Sequence, residues 1–349
     1  MGEPLVVGVL YVLPGFDNEL VLRRLGDCPR PVELVVATYE ESHALRTAKG
    51  QGAPEAELRD LTPALSDEAR DMFARAEVVL TLDVPLDVRE VAPNLRWIQA
   101  LGAGIAQFNP RRLRDDGIIL TTAAGVTAVP IAEFVMGRIL EVWKGTRRLE
   151  ELQKARTWEF ASGRTLAGCT IGVVGLGSIG RAVAERAGAF GMRVLATRRR
   201  YEAGMTSPLV DELYGPDGLG KLLESSDVVV LALPETDQTQ GLIGAAELAL
   251  MKPGAVFCNV ARGSLVDEDA LLAALDSGQV GAAILDVMKE EPMSADNPLW
   301  NGKNLYLSPH SSTSVDHYSE DLAQLLASNL TRYSRDEPLI NLVDPDAGY

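Results

Sequence analysis

Short apolar runs alternate with amphipathic stretches along the whole chain. In the first third, Leu5–Val12, Val32–Thr38, Val78–Leu82, Trp97–Ala100 and Ile118–Thr122 predict strands, with polar helical segments such as Ser66–Ala76 between them. That alternation is the signature of an open α/β sheet. Residues Val129–Arg156 predict one long helix, opened by Pro130 near its first turn, with Ile131, Phe134, Val135, Ile139 and Val142 on one side. A second series then begins. Cys169–Val174, Met192–Thr197, Asp227–Leu233, Ala255–Val260, Ala282–Val287 and Leu305–Leu307 predict six strands. Helices at Ile179–Ala189, Leu219–Ser225, Ala245–Met251 and Asp267–Ser277 fall between several of them. Continuous apolar strands joined by helical crossovers imply a parallel sheet covered on both faces. Ser314–Tyr333 predicts a last amphipathic helix.

Composition narrows the possible partners. The 349 residues suggest more than one domain, and with 46% hydrophobic and 23% charged residues the chain is a globular enzyme type rather than a disordered one. A net charge of −16 argues against nucleic acid or an anionic membrane as partner, because phosphate contacts need clustered Lys and Arg. It leaves an anionic small substrate open, since one placed Arg dominates at contact range. The start, Met1-Gly2-Glu3-Pro4-Leu5-Val6, has no basic region of a secretory signal, and Val6 breaks the myristoylation pattern. No apolar run reaches the ~18 residues of a membrane span. Cys28, Cys169 and Cys258 are odd in number and far apart, so three core thiols in a reducing cytoplasm are expected, with no metal site.

The most specific local signal is Ile171-Gly-Val-Val-Gly-Leu-Gly-Ser-Ile-Gly180, which follows a strand and opens a helix. Gly175 permits the tight turn, Gly177 lets backbone approach a pyrophosphate, and Gly180 lets helix and sheet pack closely. The helix N-terminus, with Ser178 and Ile179, supplies N–H donors and a partial positive charge for the phosphates. A site for NAD(H) would place an acidic residue about 20 positions further on, to accept from the ribose 2′-hydroxyl. Thr197, Arg198, Arg199 and Arg200 stand there instead. A carboxylate would repel a 2′-phosphate, whereas Arg forks bind one, so NADP(H) is expected in preference to NAD(H).

Three further pieces lie at strand ends, where ligands bind in such sheets. They are Asn259-Val-Ala-Arg262-Gly263, Leu285-Asp286-Val-Met-Lys-Glu-Glu291-Pro292 and Leu307-Ser-Pro-His310. In order and type, together with Leu231-Ala-Leu-Pro-Glu-Thr236 and Met251-Lys-Pro-Gly-Ala255, these motifs resemble the D-isomer-specific 2-hydroxyacid dehydrogenase family. The likeness runs without a large gap from about Trp97 to His310.

The resemblance implies doubly wound parallel sheets in two domains, with a Rossmann-type nucleotide domain (128–310) inserted into a discontinuous flavodoxin-like substrate domain (1–127 and 311–349). It also implies a homodimer and a small 2-oxo or 2-hydroxy acid as substrate. His310 would be the acid/base, Glu291 its partner and Arg262 the substrate anchor. Glu290 is set aside because the family's Glu directly precedes the Pro. Leu233, Pro234, Thr239, Val260, Ala261 and Ser312 would join the cofactor contacts, and Asp286 would meet the nicotinamide carboxamide.

Those roles agree with the chemistry. Reduction of a 2-oxo acid needs a hydride at C2 and a proton on its oxygen, and histidine suits reversible proton transfer near neutrality. A carboxylate bonded to the ring fixes its tautomer, and an Arg fork polarises the carbonyl as negative charge develops. Of His43, His310 and His317, only His310 stands in the motif. Gln99-Ala-Leu-Gly-Ala-Gly104 resembles the family's loop that holds the substrate carboxylate through backbone N–H groups, making Leu101, Gly102, Ala103 and Gly104 candidates. The family often carries an acidic residue just beyond, where this chain has Ala106.

Other outcomes exist within the resemblance. Phosphite oxidation needs a Lys in the Gly102–Gly104 loop, and formate oxidation needs grips that are not matched. A nucleotide-sensing corepressor would tolerate loss of the triad, which is intact here. The sequence does not choose among glyoxylate, hydroxypyruvate and branched 2-oxo acids. Tyr11 and Leu13 are candidates for the pocket that would decide.

Overall fold

The computed structural model describes residues 3–10, 18–105, 107–314 and 317–346. Tyr11, Leu13 and Ala106, singled out above, lie outside the described residues. The chain divides into two compact units, Met1–Val126 with Val315–Tyr349, and Thr127–Ser314. The first is therefore discontinuous in sequence, and the second is inserted into it.

Five strands build the first unit: β1 (Leu5–Val9), β2 (Val32–Val36), β3 (Val78–Thr81), β4 (Trp97–Ala100) and β5 (Ile119–Thr121). All neighbours are parallel, in the order β2-β1-β3-β4-β5. Period-two side-chain alternation, with helices packed on both faces, explains why these strands are mostly apolar. Val79, Ile98 and Leu120 pack on one face with Met72 and Phe73 of the helix Asp67–Arg75, which Ser66 caps. Leu5, Val7, Val78, Leu80 and Trp97 pack on the other with Leu322, Leu326 and Leu330 of the helix Tyr318–Ser334. This last helix brings the chain's end back onto the first sheet.

Seven strands build the second unit: β6 (Thr170–Val174), β7 (Arg193–Thr197), β8 (Glu212–Tyr214), β9 (Val228–Leu231), β10 (Ala255–Asn259), β11 (Val280–Leu285) and β12 (Leu305–Leu307). Their order is β12-β11-β10-β9-β6-β7-β8, again all parallel. Val173, Val194, Val230, Cys258 and Ile284 face the helices Ala128–Lys144 and Ser178–Ala189. Val174, Leu195, Leu231, Phe257 and Leu285 face the opposite layer. The strand order reverses between β6 and β9. The loops after those strands therefore border the crevice in which doubly wound sheets bind ligands. No helix of the described residues is long and apolar enough to cross a membrane.

Three expectations are corrected. The helix expected over 129–156 is two, Ala128–Lys144 and Thr146–Lys154, because Gly145 takes the left-handed conformation and its N–H closes on Glu141 and Val142. A seventh strand, Glu212–Tyr214, joins the six expected ones. It lies at the sheet edge, where three residues without an apolar run suffice. Of the three thiols only Cys258 belongs to the core, where burial pushes it well above its ordinary range; Cys28 and Cys169 are partly exposed.

Candidate active site

The glycine loop follows β6. Gly175 sits at φ +100°, and a Cβ there would lie 2.5 Å from the Ala232 carbonyl oxygen. At Gly180 a Cβ would lie 2.0 Å from the Gly175 oxygen, so the helix beginning at Ser178 can approach the loop only without a side chain. Gly177 differs from both, because a Cβ added there meets nothing within 4 Å. Its backbone thus faces open space at the start of a twelve-residue helix that no side chain caps. Unfilled N–H donors beside an unobstructed backbone are what a pyrophosphate requires. These residues fit a dinucleotide.

Thr197, at the end of β7, is only 5% exposed. Its hydroxyl accepts from the Gly175 amide at 3.3 Å and its carbonyl accepts from Leu176, so it braces the loop. Arg198 is partly exposed, with Nη1 4.0 Å from Met205 Sδ and no ion pair among the described residues; Arg199 and Arg200 are exposed. Across the crevice, Leu233 and Pro234 open the loop after β9. The Thr239 hydroxyl closes that loop by donating to the Pro234 carbonyl at 2.9 Å and accepting from the Thr236 amide at 2.8 Å.

Arg262, Glu291 and His310 follow β10, β11 and β12. Buried Asn259, at the end of β10, sets the first turn: its Nδ2 donates to the Arg262 carbonyl at 2.8 Å and its Oδ1 accepts from Ala261 at 3.0 Å. Val260 and Ala261 are buried beneath it. A Cβ on Gly263 would fall 1.9 Å from the Met288 carbonyl carbon, so only glycine lets the Arg262 turn press against the turn that carries Glu291. Glu291 Oε1 accepts the Met288 amide at 2.9 Å, and Oε2 lies 2.8 Å from His310 Nδ1. The ring nitrogen left for other chemistry is Nε2. Glu290 points elsewhere, toward the Ser294 hydroxyl at 3.4 Å. Among the described residues the His43 ring bonds Thr47, and His317 precedes the last helix.

His310 stands at φ +51°, a strained conformation for a non-glycine residue, and such strain persists only where the surroundings fix it. Asp286, 1% exposed, does the fixing. Its carbonyl accepts the His310 amide at 2.8 Å. Its carboxylate accepts the Ser308 hydroxyl at 2.6 Å, the Ser311 amide at 2.9 Å and the Ser312 amide at 3.1 Å. Asp286 was expected to meet the nicotinamide. The structure instead commits it, together with the Ser312 amide, to the histidine's own turn.

Electrostatics complete the pair. The hydrogen bond that His310 donates to Glu291 raises its pKa above the ordinary 6.5, against burial and the Arg262 charge. For Glu291, burial pushes the carboxyl up, but the His310 bond, the Met288 amide and the charges of His310 and Arg262 together bring it below the usual carboxylate range. The arrangement therefore favours the charged form of the imidazole beside a carboxylate, with a guanidinium on the adjoining turn.

In the first unit, Leu101 to Gly104 follow β4. The Leu101 amide donates to Thr81 at 2.9 Å and its carbonyl accepts the Tyr318 hydroxyl, so Leu101 is not a free donor as expected. The amides of Gly102, Ala103 and Gly104 have no partner among the described residues. Asn259, Ser308 and Tyr318 were missed from sequence. The first two had a signal, a polar residue ending or just following an apolar strand beside a motif residue.

A glycine-loop nucleotide fold with an acid-paired histidine and an arginine at adjacent strand ends defines a nicotinamide-dependent oxidoreductase. Residues 136–312 match the family pattern described as D-isomer specific 2-hydroxyacid dehydrogenase, NAD binding domain. A glyoxylate reductase of Korarchaeum cryptofilum is 33% identical over 277 residues, 77% of this chain and 82% of that one. A glyoxylate/hydroxypyruvate reductase B of Shigella boydii is 33% identical over 83% of this chain and 91% of its own. A D-isomer specific 2-hydroxyacid dehydrogenase from Xanthobacter autotrophicus, solved with NADPH and MES, superposes with a TM-score of 0.76 at 28% identity, covering 98% of this chain and 99% of that one. The chain belongs to the D-isomer specific 2-hydroxyacid dehydrogenase family.

Proposed function

We propose that this enzyme reduces a small 2-oxo acid to the D-2-hydroxy acid with NADP(H) in preference to NAD(H). The observation that carries the proposal is the His310–Glu291 pair at 2.8 Å, on the strand end next to the Arg262 turn. The nicotinamide, when bound, supplies the hydride to C2. His310 Nε2 delivers the proton to the carbonyl oxygen as charge develops there, and takes it back in oxidation. Glu291 holds Nδ1–H and keeps the ring charged until transfer. Arg262 binds the substrate carboxylate and polarises the carbonyl. The free amides of Gly102, Ala103 and Gly104 are a further holder for the carboxylate. Asp286 acts through the 308–312 turn.

Gly175, Gly177, Ser178, Ile179 and Gly180 are assigned to the pyrophosphate, and Arg198 with Arg199 to the 2′-phosphate. Leu233, Pro234, Thr239, Val260 and Ala261 are assigned to the walls of the cofactor crevice. On this assignment the unit Thr127–Ser314 serves the cofactor and the other unit the substrate. Glyoxylate and hydroxypyruvate are favoured because they appear in the names of relatives at 33% identity. Three free cysteines agree with a reducing cytoplasm. The fully exposed Trp158 and Phe160 support a homodimer that covers them.

The test is cofactor oxidation, with NADPH and NADH in parallel against glyoxylate, hydroxypyruvate and branched 2-oxo acids. NADPH consumption that is lost in His310→Ala, by about 10²-fold or more, is expected. Tight binding of either cofactor without turnover of any of them would sink the proposal.

A further inference from the structure

The amino ends of β1, β3, β4 and β5 surround a crevice of about 650 Å³ in the first unit, within the size range of small-molecule sites. It lies at the opposite edge of the sheet from the loop 101–104. Substrates of doubly wound folds enter at the carboxyl edge, so this crevice is not part of the site described above.

Three arginines line it in a chain whose net charge is −16. Arg30 is committed, giving Glu77 two parallel hydrogen bonds of 2.9 and 2.8 Å, and the Tyr333 hydroxyl adds a third at 2.9 Å. Those bonds neutralise Glu77, whose carboxyl is held below its usual range first by Arg30, against burial, and then by Tyr333. Arg75 is committed to Glu33 and Asp71. Arg96 is not committed. Its backbone is tied into the sheet by its amide to Glu77 and by its carbonyl from Ile119, while its guanidinium has no hydrogen bond or ion pair among the described residues. Asn94, also on the wall, donates to the Ala74 carbonyl, and its own amide oxygen has no partner among the described residues.

We propose that this crevice binds a small hydroxylated oxyanion, a phosphate monoester or a polycarboxylate, with Arg96 as the principal contact. A guanidinium is a rigid fork for phosphate or carboxylate oxygens, and here one faces a cavity with its fork unfilled. Arg30 and Glu77 form a neutral floor, Arg75 is offset by Glu33 and Asp71, and Glu3 also lines the wall, so Arg96 is the arginine left to meet an anion. The volume exceeds what a bare phosphate needs, which is why a larger anion with hydroxyl groups fits better.

The experiment titrates the native chain with inorganic phosphate and with citrate at constant ionic strength, following binding calorimetrically and the thermal midpoint in parallel. Saturable binding of at least one anion is expected. Phosphate alone would assign the phosphate ester class and citrate alone the polycarboxylate class. Arg96→Ala should weaken binding by about tenfold, the loss of one charge-assisted contact. Arg96→Gln, which keeps the side-chain length, guards against a folding defect and should lose binding similarly. Arg262→Ala should leave the Arg96-dependent part of the response in place, separating this crevice from the substrate anchor. No saturable binding of either anion, or affinity in both Arg96 variants equal to that of the native chain, overturns the proposal.

Discussion

Ser308 donates its hydroxyl to Asp286 Oδ1 at 2.6 Å, two residues before the histidine that Asp286 also holds through its backbone carbonyl. Both groups are buried, so the bond fixes a turn and carries no chemistry of its own. Ser308→Ala removes this bond and leaves the two serine amides on the carboxylate. The expected result is a fall in kcat of about tenfold, with the KM for cofactor little changed and Ser308→Thr restoring most of the rate. Steady-state kinetics on the three proteins decide. Unchanged kcat in Ser308→Ala would reduce Ser308 to packing.

The pH dependence follows from the His310–Glu291 pair. Reduction needs His310 charged, and its pKa is raised above 6.5. Reduction should therefore be full below the raised value and fall as pH passes through it, while oxidation rises over the same interval. Glu291→Gln removes the largest cause of the raise, so the falling limb should move toward lower pH. A limb that stays in place under conditions where chemistry limits the rate would exclude Glu291 as the cause.

The same shifts contribute to stability with opposite signs. The raised His310 favours folding below its ordinary pKa and loses that contribution as pH rises through its folded value. The lowered Glu291 favours folding above the ordinary carboxyl value and loses that contribution as pH falls through its own. With the histidine side chain 54% exposed the net effect is small.

How much of this was legible in the sequence depended on whether one residue carried its own signal. Gly175, Gly177 and Gly180 did, because a glycine spacing after an apolar strand has a mechanical meaning. Arg262, Glu291 and His310 became legible only as a set, since their convergence depends on the order β12-β11-β10, which no local pattern encodes. Asp286 was found, but its hold on the turn 308–312 was not foreseen, because that turn follows a different strand. The break at Gly145 lay in a pattern otherwise continuous with a helix, and the strand Glu212–Tyr214 has too few apolar residues to stand out. The amino-edge crevice collects residues from six separate segments, so its arginines look like scattered surface charge in the sequence.

Cofactor choice rests on Arg198. No carboxylate occupies positions 197 to 200, and Arg198 has no ion pair among the described residues. Arg198→Asp should raise the KM for NADPH by about ten- to hundredfold, the loss of a bond between charged groups, while NADH changes far less or improves. Equal effects on the two cofactors would remove Arg198 from the 2′-phosphate.

The homodimer is testable at a single segment. Trp158 and Phe160 are 105% and 90% exposed, yet the chain around them is held in place. Arg148 bonds Glu159 at 3.1 Å, the Arg164 guanidinium stacks 4.4 Å over Trp143, and a Cβ on Gly163 would lie 2.5 Å from the Trp143 carbonyl oxygen. Two aromatics presented on a fixed backbone expose a few hundred Å² of apolar surface, the scale at which such a patch marks an interaction site. Light scattering on the native enzyme should give twice the chain mass. In Trp158→Glu/Phe160→Glu it should give a single chain with unchanged secondary structure, because neither side chain belongs to the core. A native monomer, or a double variant that remains dimeric, would place the interface elsewhere or remove it.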